Sequence, residues 1–172
     1  MTSLVNGTSI PDRYRYAVIP HIAVDNGARA IDFYVRAFGA RVLFRLDAPA
    51  GGVLHAEIAI GPSTLMLGDT SVSETDGSGW LEPHALGGTT TTLHVFVPDV
   101  DALAERAESA GATIIKAPAD TFHGDRTAIL SDPHGHVWVF LTHLEDISEA
   151  ELHRRLAEDA QLTPSVPHTP AD

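Results

Sequence analysis

The chemistry this sequence offers is histidine chemistry. Ten histidines stand among 172 residues that include no cysteine, so disulfides, thiolate metal sites and cysteine nucleophiles are excluded together. Imidazole and carboxylate remain, as metal ligands or as acid–base groups near neutral pH. His21 and His94 lead, because each sits in a strand-like apolar run, PHIAV at 20–24 and LHVFV at 93–97. Phe96, on the His94 strand, is expected to face the same ligand. His55 and Glu57 put an imidazole and a carboxylate on one strand face, which suits a general base with an orienting acid and equally a plain polar pair. The candidate catalytic groups are therefore His21, His94 and Glu57.

Two loop positions add aromatic surface. Trp80, in the Gly/Ser-rich stretch 69–88, can close over a pocket, anchor its loop or pack on a partner subunit. Phe122 and Arg126, in FHGDR at 122–126, combine an aromatic face with a cation able to grip a planar or anionic ligand; Asp125 or Asp120 can instead pair with Arg126. The other histidines are expected in humbler places. His134 and His136 flank a hairpin glycine and His84 and His123 lie in loops, all facing solvent by default. His143 ends the last strand, His153 belongs to a terminal helix and His168 to the tail.

Charge removes whole classes of partner. Twenty-three acidic residues against eleven Lys and Arg give a net charge of −12, which repels nucleic acid and anionic membrane. No Gly-x-Ser-x-Gly elbow, phosphate-binding loop or dinucleotide fingerprint occurs. No apolar run reaches the roughly 20 residues of a membrane span. Residues 1–12 lack the basic start and apolar run of a secretion signal, so a cytoplasmic protein is expected.

The elements that must position these residues follow from periodicity. A strand at 16–24, a helix at 27–38 ended by Gly39, and strands at 41–47, 53–60 and 63–68 give β-α-β-β-β. After the connection, a strand at 89–97, a helix at 99–110 and strands at 113–117, 126–131 and 136–143 give the same order again. Two further pieces follow: a helix at 148–159, opened by the capping box Ser148-Glu149-Ala150-Glu151, and a Pro-rich tail. The domain organisation is a flexible start at 1–13, a first module at 14–69, a connection at 70–88, a second module at 89–146, a terminal helix at 147–160 and a disordered tail at 161–172. The repeat holds in register: His21 matches His94 at an offset of 73, Gly39 matches Gly111 at 72, and Gly61 matches Gly135 at 74, which pairs Asp69 with His143.

Two βαβββ modules in one chain resemble the vicinal oxygen chelate superfamily of glyoxalase I, bleomycin-resistance proteins and extradiol dioxygenases. The residues that carry the resemblance are VDNGARAIDFYVRAFGA at 24–40, VPDVDALAERAESAGA at 97–112 and DPHGHVWVF at 132–140. HAEIAIG at 55–61, FHGDR and LTHLED at 141–146 look like the PhnB-like branch. The resemblance implies an α+β fold in which each module supplies half of a curved mixed sheet, the halves enclosing one small-molecule pocket with the helices packed outside. Many members pair as dimers.

Metal-dependent members place ligands on the first and last strands of each module. Here those positions hold Ile19, Thr92, Val139 and, near its first-module counterpart, Leu65, so the usual metal site is absent. His21 and His94, two residues further along, face the same side by strand parity. Two histidines are too few for zinc or for a non-haem iron triad without a carboxylate such as Glu57 or Glu82. The expected function is small-molecule binding of the bleomycin-resistance type: an apolar or aromatic metabolite or drug held between the modules, as in antibiotic resistance, by His21, His94, Phe96, Trp80, Phe122 and Arg126. No cofactor is expected, a divalent metal being the alternative, and the partners are a small organic ligand and a second copy of the chain. The competing readings are a lyase, isomerase or dioxygenase on a non-standard His/carboxylate site, and a dimeric scaffold with a vestigial pocket.

Overall fold

A computed structural model describes residues 11–15, 17–72 and 79–162. The expectations for residues 1–10, for 73–78 within the connection and for the tail from 163 onward, His168 included, lie outside the described residues. The first module runs β1 (His21–Val24), α1 (Gly27–Phe38), β2 (Arg41–Asp47), β3 (Val53–Ile60) and β4 (Ser63–Asp69). A four-residue helix, α2 (Pro83–Leu86), sits in the connection. The second module repeats the order as β5 (Thr92–Phe96), α3 (Val100–Ala110), β6 (Thr113–Asp120), β7 (Asp125–Ser131) and β8 (Val137–His143), and α4 (Glu149–Leu162) ends the described chain.

Each module is a four-stranded mixed sheet, ordered β1-β4-β3-β2 and β5-β8-β7-β6, with the first and last strands parallel and the others antiparallel. The local chemistry repeats with the topology. Asn26 caps α1 by accepting from Arg29 N at 3.0 Å, and Asp99 caps α3 by accepting from Ala102 N at 2.9 Å. Gly39 and Gly111 end the helices in the left-handed region, at φ 68° and 115°. β1 is shorter than the expected 16–24 strand because Pro20 has no N–H to donate; its carbonyl accepts from Met66 N at 2.9 Å.

One core serves both modules. Ile22, Val24, Ala56, Ile58, Leu65 and Leu67 from the first sheet join Ala128, Leu130, Trp138 and Phe140 from the second, around the apolar faces of α1 and α3. Phe38 on α1 reaches the opposite sheet, its ring 4.9 Å from Trp138 and 4.8 Å from Phe140. The two helices pack on each other and, with the inner faces of the sheets, form this one core. The apolar stripe of each helix is wide enough to cover its own sheet and its neighbour. The other face of each sheet therefore turns outward. Every residue of β2 is exposed, Phe44 and Leu46 among them, and Phe96 is 64% exposed on β5.

The second module is pinned to the first through the DPHGH hairpin. Asp132, 4% exposed, accepts from the backbone N–H groups of His134 and His136 at 2.9 and 3.0 Å, from Trp138 Nε1 at 2.9 Å and from the Tyr34 hydroxyl at 2.7 Å. His134 pairs through Nδ1 with Asp25, and His136 Nε2 donates to Ala23 O at 2.9 Å. Both rings are buried, which corrects the expectation that they face solvent: their turn lies against the other module.

Candidate functional site

Sheet register decides which side chains share the outward face. His21 lies opposite Met66, and His94 opposite Val139. Both pairs are related by an offset of 73, so the final strands match at 73 and not at the 74 read from the hairpin glycines. Asp69 corresponds to Thr142 rather than His143, and the first-module counterpart of Val139 is Met66, not Leu65. The correction is visible in the bonding. Asp69 accepts from Gly27 N and Val53 N, and Thr142 Oγ1 accepts from Val100 N at 2.9 Å. Each holds the first N–H of its module's helix.

On the outward face of the first sheet, four aromatic rings form a row. Trp80 meets His21 edge-on, ring centroids 4.3 Å apart; His21 meets His55 at 5.4 Å, and His55 lies 6.2 Å from Phe44. β1 and β3 place the two histidines, β2 places Phe44 across from Glu57, and the connection brings Trp80 over β1. Glu57 is buried beside the row, 3.7 Å from His55 Nε2, and accepts a hydrogen bond from the Tyr14 hydroxyl. Burial, and then the charge of His55, hold the His21 imidazole below its ordinary value, which favours the neutral ring. The row thus offers stacking surface, uncharged imidazole nitrogen and one shielded carboxylate.

Next to it, a groove of about 770 Å³ runs between β1 and the connection, lined by His21, Trp80, Leu86, Leu93 and His136 among others. That volume lies within the range of small-molecule sites.

The other expected residues fall elsewhere. His94 and Phe96 lie on the outward face of the second sheet, where His94 Nε2 is 3.1 Å from Thr92 Oγ1, and His94 lines a separate cleft of about 380 Å³ with Ile60, Pro62 and Leu65. The matched histidines are not brought together within one chain. Arg126 is bound bidentately by Asp101 at 2.6 and 2.7 Å and by Asp120 at 2.8 Å; of the partners expected for it, Asp120 is present and Asp125 is not. Asp125 instead accepts from His123 at 3.1 Å and His143 at 2.9 Å, and Phe122 packs edge-on against His123. Sequence reasoning missed Tyr14, Phe44 and His136. Only Phe44 left a signal, the alternation of β2, which becomes informative once its register with Glu57 is known.

The architecture and the sequence agree on ancestry. A model of the Glyoxalase/Bleomycin resistance protein/Dioxygenase superfamily matches residues 16–140. The chain belongs to that superfamily. An uncharacterised protein of Mycobacterium bovis is 46% identical over 122 residues, 71% of this chain and 80% of that protein. A lactoylglutathione lyase of Neisseria meningitidis is 27% identical over 121 residues, 70% of this chain and 85% of the lyase. Among solved structures, TioX from Micromonospora sp. ML1 matches with a TM-score of 0.59 and 32% identity, over 73% of this chain and 97% of that one.

Metal-dependent members of the glyoxalase superfamily would bind their ion where this chain has Ile19, Met66, Thr92 and Val139. Ile19 and Val139 have no lone pair, and a thioether with one hydroxyl does not suit a hard or borderline divalent cation. The donor set does not fit the group. Among the described residues, no three His, Asp or Glu side chains converge to hold a metal.

Proposed function

We propose that this chain is a small-molecule-binding protein, holding an apolar or aromatic metabolite or drug against the outward face of its first sheet, beneath Trp80. The observation that carries the reading is the edge-on contact of Trp80 with His21 in the lining of the groove. An aromatic side chain delivered by a connecting loop onto a neutral imidazole forms a clamp for a planar ring. A second copy of the chain is the proposed partner. Both sheets turn one face outward, β1 and β5 are edge strands, and Phe44, Leu46 and Phe96 are exposed apolar side chains that a partner's opposite module would cover. The site is then metal-independent, and Arg126 acts within its own ion-pair network rather than on the ligand.

The test is a thermal-shift screen of aromatic compounds, with hits re-measured on His21→Ala and Trp80→Ala. At least one hit is expected to weaken about tenfold or more in both variants, the cost of removing one stacked aromatic contact in a buried site. Unchanged affinity in both would overturn the assignment of the site. Light scattering of the full chain is expected to give a dimer mass.

One observation favours a second reading. Glu57, buried beside His55 and hydrogen-bonded by Tyr14, has the elements of an acid–base group, which fits a lyase or isomerase of the same superfamily. A stoichiometric divalent ion in protein purified without chelator or tag, lost in His21→Ala or His94→Ala, would support that enzyme reading with a metal and exclude the metal-free one.

A further inference from the structure

His136 belongs to the second module, yet it forms part of the groove wall beside β1. Its backbone is held by Asp132, and its ring by Ala23 O, 2.9 Å from Nε2. A carbonyl oxygen only accepts, so Nε2 carries the hydrogen, and in the neutral ring the lone pair sits on Nδ1. The fold thereby fixes both the tautomer and the orientation of this imidazole, as second-shell carbonyls do for working histidines.

The connection packs on the same hairpin. Gly135 has φ 87°, and a Cβ there would lie 3.1 Å from both Pro83 Cβ and His84 Cε1. The connection that carries Trp80 therefore rests directly on the turn that carries His136. Although the protein has a net charge of −12, no Asp, Glu, Lys or Arg lines the groove among the described residues. An ion entering it would lose hydration without meeting a counter-charge.

We propose that the groove takes an uncharged, partly aromatic molecule bearing a hydroxyl or N–H donor, and that Nδ1 of His136 accepts that donor. This rests on the small-molecule reading above and adds the ligand class and the residue that reads it. Trp80 and His21 clamp the ring, and His136 sets which substituent is tolerated. Binding consists of contacts and one hydrogen bond, with no covalent step.

The probes are p-cresol and 4-methylanisole, which share a ring and differ in the O–H group, followed by affinity titration and by long-range ¹H–¹⁵N NMR of the histidine rings. The wild-type chain is expected to bear its His136 hydrogen on Nε2, to bind p-cresol roughly five- to tenfold more tightly, the effect of one hydrogen bond, and to shift Nδ1 with p-cresol alone. His136→Phe is expected to bind both probes equally. A hydrogen on Nδ1, no wild-type preference, or a preference that survives in His136→Phe overturns the role of His136. The NMR arm needs no variant, so a poorly folded His136→Phe does not rescue the claim. Failure of both probes to bind overturns the site itself, whereas binding without preference overturns only His136. Toluate and methylbenzylammonium ions are expected to bind about tenfold or more weaker than p-cresol; parity of either removes the uncharged class.

Discussion

The Tyr34 hydroxyl of α1 donates to Asp132 Oδ2 at 2.7 Å, joining the helix of one module to the hairpin of the other. The same carboxylate also takes Trp138 Nε1 and two backbone N–H groups. Asp132→Ala leaves four donors without an acceptor in a closed site and is expected to cost about 3–5 kcal/mol, against about 1–2 kcal/mol for Tyr34→Phe. Urea denaturation of both variants measures the difference; equal costs would remove Asp132 as the hub. Burial, then the Asp132 charge, push the Tyr34 hydroxyl well above its ordinary range, so it is expected to stay protonated in absorbance titration until the chain unfolds.

Asp69 and Thr142 do the same work in the two modules and differ in strength. Asp69 serves Gly27 N and Val53 N as a charged acceptor, whereas Thr142 serves Val100 N and donates to Val97 O at 3.0 Å. Asp69→Ala is expected to cost about 2–4 kcal/mol and Thr142→Ala about 1–2 kcal/mol. The reverse order in thermal denaturation would contradict the register drawn between the modules.

His21 titrates below its ordinary 6.5 in the folded chain. The folded state prefers the neutral ring, so this stability is present above pH 6.5 and is lost as pH falls through the lowered folded value. His55→Ala removes the charge contribution and is expected to raise the His21 midpoint in an NMR titration. No change would leave burial as the whole cause.

His143 shifts the other way. Hydrogen bonding to Asp125 raises it, with Asp146 adding to the effect. The folded state binds the proton more tightly, so its contribution is present below pH 6.5 and is lost as pH rises through the raised folded value. Asp125→Asn is expected to move the His143 midpoint back down, read by the same NMR titration.

The repeated βαβββ order was legible because each strand and helix carries its own period and its own cap. Asn26 and Asp99, Gly39 and Gly111 are local signals. The offset of the last strands was not local. The turn at Gly61-Pro62 is one residue shorter than its DPHGH counterpart, so matching the two glycines displaced the following strand by one residue and exchanged its faces. Asp69 consequently seemed to be the partner of His143, a surface residue, instead of Thr142. His134 and His136 looked exposed for a similar reason: what they pack against is β1 and the turn that follows it, at Ala23 and Asp25, more than a hundred residues earlier. His21, Glu57 and Trp80 were recognised individually. Their assembly with His55 and Phe44 depended on strand pairing, which the spacing of residues along the chain does not reveal.

Because α1 and α3 pack on one face of the sheets, the side chains that hold the protein together and those available to a ligand lie on opposite sides of the same strands. Ala56 and Leu67 look inward while His55 and Met66, their neighbours in sequence, look out. Selection can therefore rewrite His21, Phe44, His55, Met66 or Phe96 with little effect on folding. A library randomised at those five positions should keep most of its members folded while scattering what they recognise, so relatives of this chain are expected to diverge first in what they bind.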